Sequence, residues 1–266
     1  MLERTMISQD LSFRDYIHRQ LDEIRPERIQ ERALSARASG NFRYTGQKWV
    51  PQEYRGFAVV TMVDTNPGNE LLPFQLTALQ DELRSSLRSV DGYYMLPPAS
   101  FHQTVANTLS AERFQKNIVD KGLETAYPGL VEKAFDRLPS STSGTPIRMQ
   151  LAGLSIFGTS IGLLGVFEKE LDYERLIRFR SGFYGDAGMQ ELDVRMTRPF
   201  IGHITVAYIE QDPDRVAREH LARVVNALNT EIRRKNYTFL LSHTGLRRYS
   251  HLAEFRKEAT YPEHKL

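Results

Sequence analysis

Cysteine is missing altogether from the 266 residues. Disulfides, thiolate nucleophiles and cysteine-ligated metal centres are thereby excluded, and the lack fits a reducing compartment without requiring one. Long apolar runs are missing too. No stretch approaches the ~18 consecutive apolar residues of a membrane-spanning helix, so no membrane association is expected. The first residues carry Glu3 and Asp10 and no apolar run, and do not read as a secretory signal. Charge of one sign is not in excess either: 35 Lys and Arg against 33 Asp and Glu leave a net +2. That balance supplies no case for a nucleic-acid coat or a membrane-surface protein, although a local basic cleft stays open. The expectation is a soluble, cytoplasmic protein with no cofactor and no obligatory protein partner.

What is present suits a globular chain, long enough for one large domain or two small lobes. Residues 1–50 are polar, with a helix-prone stretch over 11–34 broken at Pro26, and read as a helical N-terminal extension outside the core. From 51 to about 260 the pattern is strand, helix, strand, twice over. Residues 56–63 are β-branched and form a strand. Residues 73–87 form a helix on the spacing of Phe74, Leu76, Leu79, Leu83 and Leu87. A second strand follows over 101–106, and mostly helix over 111–138. The Ser/Gly/Pro loop at 139–146 separates a first lobe (about 54–140) from a second (about 146–256). Beyond it come strands over 147–154 and 162–167, a helix over 171–179 and a glycine-rich loop over 182–188. A strand over 200–209, a helix over 214–234 led by Asp212-Pro213, and closing strands from 237 onward complete the chain.

One short element recurs: His102-Gln103-Thr104-Val105 in the first half and His203-Ile204-Thr205-Val206 in the second, with 203 − 102 = 101. In a strand, residues i and i+2 share a face, so each histidine projects with its threonine. The same alternation sends Ile204, Val206 and Tyr208 to the other side. Two such strands across one cleft would offer two imidazoles and two hydroxyls to one ligand. The groups suit phosphate chemistry. Histidine titrates near 6.5, so a neutral ring can take a proton from the attacking oxygen while a charged ring gives one to the leaving oxygen. The threonine hydroxyls can donate to non-bridging oxygens. The plainer alternative is two ordinary strand histidines, each bonded to a neighbour.

On these two elements the chain resembles the 2H (two-histidine) phosphoesterase superfamily, whose signature is a pair of His-x-Thr/Ser-apolar motifs. The run Leu96-Pro97-Pro98-Ala99-Ser100 before the first motif is similar to a poorly characterised branch of it. The resemblance covers roughly residues 54–256. It implies an α+β fold, bilobal, with two antiparallel-rich sheets flanking a central cleft and helices outside. It implies His102 and His203 as the catalytic pair and Thr104 and Thr205 as phosphate ligands. The activity implied is that of a metal-independent phosphoric diester hydrolase, 2′,3′-cyclic phosphodiesterase-like, acting on a nucleotide-derived or RNA-end cyclic phosphodiester. A nucleotide-binding module with little turnover would use the same cleft. The sequence departs from the superfamily in its N-terminal extension and in the polar Gln103.

Two further residues are candidate substrate ligands. Tyr184, in the 182–188 stretch, could stack on a base or close over the site, the alternative being a packed surface aromatic. Arg198, and Arg195 three residues before it, could meet a phosphate bidentately, the alternative being exposed loop arginines. The other histidines, His18, His220, His243, His251 and His264, lack the i+2 threonine and read as structural or surface. No third ligand stands at metal-site spacing to either motif, so no metal is expected. Trp49 reads as a packing residue.

Overall fold

The computed structural model describes residues 9–87, 92–139 and 144–266; positions 140–143 of the predicted inter-lobe loop lie outside them. Helix α1 (Phe13–Asp22) starts at Ser12, whose hydroxyl accepts the Asp15 N–H at 3.1 Å, satisfying one of the helix's orphan donors. Helix α2 (Pro26–Leu34) begins on Pro26, whose fixed φ suits a first turn and which divides the two helices as expected. A hairpin, β1 (Phe42–Tyr44) with β2 (Trp49–Pro51), leads to the buried strand β3 (Gly56–Met62). Trp49 packs against Tyr44 there.

Helix α3 (Leu72–Ser86) buries Leu72, Leu76, Leu79 and Leu83. Phe74 does not join them and is 75% exposed, because the face that docks is set by Leu72, two residues out of phase with Phe74. Strand β4 (Tyr93–Met95), a 3-10 turn over Pro98–Ser100 and strand β5 (His102–Ser110) follow, then α4 (Ala111–Phe114), a π-helical turn over Gln115–Val119, and α5 (Tyr127–Asp136). The second half runs β6 (Ile147–Ile156), β7 (Ser160–Phe167), α6 (Glu170–Gly185), α7 (Ala187–Glu191), β8 (His203–Ile209), α8 (Arg215–Lys235), β9 (Thr238–Leu241), β10 (His243–Tyr249) and β11 (Glu263–Lys265). Asp214 caps α8, and its C-terminus stops at Asn236 in the left-handed region.

The architecture is mixed α+β. The larger sheets run β11-β10-β3-β5 and β4-β8-β7-β6-β9, and every strand pairing among the described residues is antiparallel. The sheets do not follow the halves of the sequence. Strand β4, from the first half, closes the edge of the second sheet beside β8, and β10 and β11, from the C-terminal end, belong to the first. The chain is thus stitched in both directions across the two motif strands.

The N-terminal helices are part of this core, not an arm. Tyr16 is fully buried and donates its hydroxyl to the Gly165 carbonyl at 2.6 Å. Gln20, one turn later, donates to the carbonyls of Gly165 (2.9 Å) and Gly202 (2.7 Å). Ile29, Ala33 and Ala36 are buried in the same cluster. A tyrosine, a glutamine, an isoleucine and two alanines carry this docking, so the stretch looks polar although one face of it is interior.

Candidate active site

Both histidines begin their strands. In β5 and β8 the residues exposed to the cleft start at His102 and Thr104, and at His203 and Thr205, with Val105 and Val206 buried behind. Alternation then breaks at the same point in both. Val59 pairs with Ala106 and Val60 with Thr104, leaving Val105 as an extra residue; Ile161 pairs with Ala207 and Gly162 with Thr205, leaving Val206 as the extra one. Each is a β-bulge, which shifts the phase of the strand by one residue. The next side chains to reach the cleft are therefore Asn107 and Tyr208, again related by 208 − 107 = 101. A second irregularity in β5, between Gly56 and Ala58 of its partner, returns Ser110 to the same side. Strict alternation places Tyr208 in the core; the bulge puts it in the cavity, and Asn107 is reached by the same device.

Both bulges are held from behind. An extra strand residue leaves a carbonyl that must find a partner when buried. The Val105 carbonyl accepts from the Arg180 guanidinium of α6, and the Val206 carbonyl accepts both the Leu96 N–H at 3.0 Å and the Gln80 side-chain amide of α3 at 2.7 Å. Gln80 also donates to the Leu96 carbonyl at 2.8 Å. Each half of the chain thus supplies the helix that braces the other half's motif strand.

The two motif strands meet through Gln103. Its side chain is wholly buried, its carbonyl accepts the His203 backbone N–H at 2.6 Å, and its amide donates to the carbonyls of Thr104 (2.7 Å) and Ile201 (3.1 Å). An apolar residue here would leave these groups short of partners; the polar residue is a cross-link between the elements.

One cavity of about 440 Å³ is lined by His102, Thr104, His203, Thr205 and Arg198 together. His102 Nδ1 lies 2.7 Å from the Ser100 carbonyl and His203 Nδ1 lies 3.1 Å from the Ile201 carbonyl. A carbonyl only accepts, so each Nδ1 carries the proton and each Nε2 is the lone-pair nitrogen. Among the described residues neither Nε2 has a hydrogen-bond partner, nor has either threonine hydroxyl. Phe255 packs on the His102 ring at 4.0 Å between centroids, and Phe157 on the His203 ring at 5.3 Å. Burial pushes both imidazoles down to about 4; at His203 the charge of Arg198 and the neighbouring His102 push the same way. At neutral pH both rings are therefore neutral in the open cavity, and a bound anion would favour the charged form.

The structure brings five of the six candidate residues to this cavity and leaves out Tyr184. The 182–188 stretch is not a loop. Helix α6 runs to Gly185 and α7 starts at Ala187. Gly182 lies within that helix, where a Cβ would meet the end of the Leu138 side chain. Tyr184 is buried on that helix, donates to the Asn107 carbonyl at 3.1 Å, and borders a separate cavity with Asp10 and Arg195. None of the five other histidines lines the cavity of the pair. Among the described residues, no group of three or more histidines and carboxylates stands where it could hold a metal ion, and no helix is long and apolar enough to cross a membrane.

No protein-family model matches the chain, and no curated protein matches it. Among solved structures it is similar to the conserved protein of unknown function ATU0111 from Agrobacterium tumefaciens str. C58. The two share 12% identity over 83% of this chain and 90% of that one, with a TM-score of 0.57. It also aligns with TT0787 of Thermus thermophilus, at 17% identity over 81% of this chain and 95% of that one, with a TM-score of 0.39. The first likeness is one of fold alone.

Proposed function

We propose that the protein is a two-histidine phosphoesterase that opens a nucleotide-derived cyclic phosphodiester without a metal. The observation that carries the proposal is the shared cavity. Two imidazoles, each pinned through Nδ1 to the carbonyl two residues earlier, line it with two unpartnered threonine hydroxyls and one guanidinium.

The chemistry follows from those groups. A phosphate anion settles against Arg198 and the threonine hydroxyls, and its charge raises the proton affinity of the rings beside it. One Nε2 then accepts a proton from the attacking water as the new P–O bond forms. The other, protonated, gives its proton to the sugar oxygen as the old P–O bond breaks, leaving a phosphate monoester. The strand pair presents its two histidines in matched settings, which suits a reaction needing a base on one side of the phosphorus and an acid on the other.

The test is incubation with 2′,3′-cyclic nucleotides in EDTA. Nucleotide monophosphate should form, and His102→Ala and His203→Ala should each lower turnover about 10²–10⁴-fold. Thr104→Ala and Thr205→Ala should lower it about 10²–10³-fold, as for a lost oxyanion donor. Tight nucleotide binding with no product would make the protein a binding module instead. Activity that disappears with chelator would point to a metal hydrolase.

A further inference from the structure

The histidines occupy one end of the cavity. From His102 to Asn107 the strand advances about 15 Å, and the far end is built from other side chains. Tyr208 and Asn107 are delivered there by the two bulges, and Tyr54, Tyr249, Ser110 and Asn41 complete it. The Tyr54 and Tyr249 rings lie nearly parallel, 11° between planes with centroids 6.2 Å apart, and the Tyr54 and Ser110 hydroxyls are 3.4 Å apart. The side-chain amides of Asn41 and Asn107 have no hydrogen-bond partner among the described residues.

Three properties of this end bear on its ligand. It is aromatic and hydrogen-bonding. It is uncharged: the one formally charged side chain lining the cavity is Arg198, at the histidine end. It is also more room than an anion needs, since about 440 Å³ falls in the range that encloses a whole small molecule. A groove that tracks a nucleic-acid strand carries a row of cations for successive phosphates. This cavity has one.

We infer that the Tyr54–Tyr249–Tyr208 end, with Asn41 and Asn107, is a subsite for the flat uncharged base of a mononucleoside phosphate, so that the substrate carries one phosphate and no continuing strand. The inference rests on the phosphoesterase reading for the placement of the phosphate at the histidines. It goes further in choosing between a free cyclic mononucleotide and the cyclic-phosphate end of an RNA. Base stacking on the tyrosines and hydrogen bonds from the two free amides supply recognition. The absence of a second cation along the lining, among the described residues, leaves an additional phosphate unneutralised.

Binding of nucleoside monophosphates separates the subsite from the catalysis. By titration calorimetry, 3′-AMP should bind the intact protein at least about tenfold more tightly than inorganic phosphate. A trinucleotide ending in a 3′-phosphate should bind no more tightly than 3′-AMP. Tyr54→Ala, on a half-buried ring, and independently Asn107→Ala should bring 3′-AMP to within about threefold of inorganic phosphate while leaving inorganic phosphate where it was. Phosphate binding with no gain from the nucleoside would overturn the subsite alone. So would a trinucleotide tenfold tighter than the mononucleotide, or variants that weaken both ligands equally. If neither inorganic phosphate nor 3′-AMP binds, the phosphoesterase reading falls and takes the subsite with it.

Discussion

His102 and His203 are half-buried weak bases, and on the proposed chemistry this sets two pH dependences. In the unfolded chain each titrates near 6.5, and in the folded protein burial holds each down to about 4. Between those values the unfolded state binds more protons than the native one. The stability that goes with neutral rings is therefore complete above pH 6.5 and is lost as pH falls toward 4. The melting temperature should decline over that window, and a double His102→Asn, His203→Asn variant should show a flatter decline; parallel curves would contradict the burial argument. The catalytic dependence has the opposite slope. The free protein holds the required single proton only near pH 4, so kcat/KM should fall about tenfold per pH unit above it. The limb in kcat should lie at higher pH, because the bound phosphodiester favours the charged ring. A pH–rate series separating kcat from kcat/KM checks both.

At the scale of elements, the motif strands explain what was readable in the sequence and what was not. Each His-x-Thr repeat announces a strand and a shared face, and β5 and β8 begin at those histidines. Alternation beyond the threonine could not be read, since a bulge leaves no local signature: the valines that supply it look like ordinary strand residues. Asn107 and Tyr208 were hidden for that reason, although their common offset of 101 from each other, equal to that of the histidines, was present as a signal. The braces were equally opaque, because nothing in the residues around Gln80 or Arg180 marks either as the partner of a carbonyl on a motif strand. Gln103 shows how such a brace acts on chemistry. It holds the His203 N–H and also the Ile201 carbonyl that orients the His203 ring. Gln103→Leu keeps the volume and removes both bonds, leaving a buried N–H unpaired at about 1–3 kcal/mol. The expected kinetic signature is a kcat lowered about 10–100-fold with KM little changed, since the phosphate ligands stay in place while the ring loses its position. Steady-state kinetics on a cyclic nucleotide, with denaturant unfolding in parallel, distinguishes this from a general loss of fold. Equal rises in KM and falls in stability with kcat intact would contradict it.

Across the whole molecule, the first twelve described residues do something their composition conceals: they fasten the entry to the second motif. Asp10 accepts the Phe200 N–H at 2.6 Å, Arg19 donates to the Phe200 carbonyl, and Gln20 donates to that of Gly202, immediately before His203. The Asp10 carboxylate also meets Arg180 at 2.9 Å, with both side chains almost fully buried. The same guanidinium reaches the Val105 carbonyl of one motif strand and the Arg198 carbonyl, 3.3 Å away, on the approach to the other. One buried ion pair therefore joins the N-terminal segment, the bulge after the first motif and Arg198 at the cavity. Breaking a buried pair from one side strands the other charge, so Arg180→Met should cost about 3–5 kcal/mol. Converting Asp10 to Asn in the same chain removes the stranded charge while keeping an acceptor for the Phe200 N–H, so the double variant Asp10→Asn, Arg180→Met should be more stable than Arg180→Met alone. Its activity should not recover in step, because the Val105 carbonyl still lacks its donor and the bulge that carries Asn107 into the cavity is unbraced. Chemical denaturation of the parent and the two variants, with cyclic-nucleotide turnover measured on the folded fraction of each, reads the two effects separately. A single Arg180→Met variant within about 1 kcal/mol of the parent would mean that the pair does not hold these segments together.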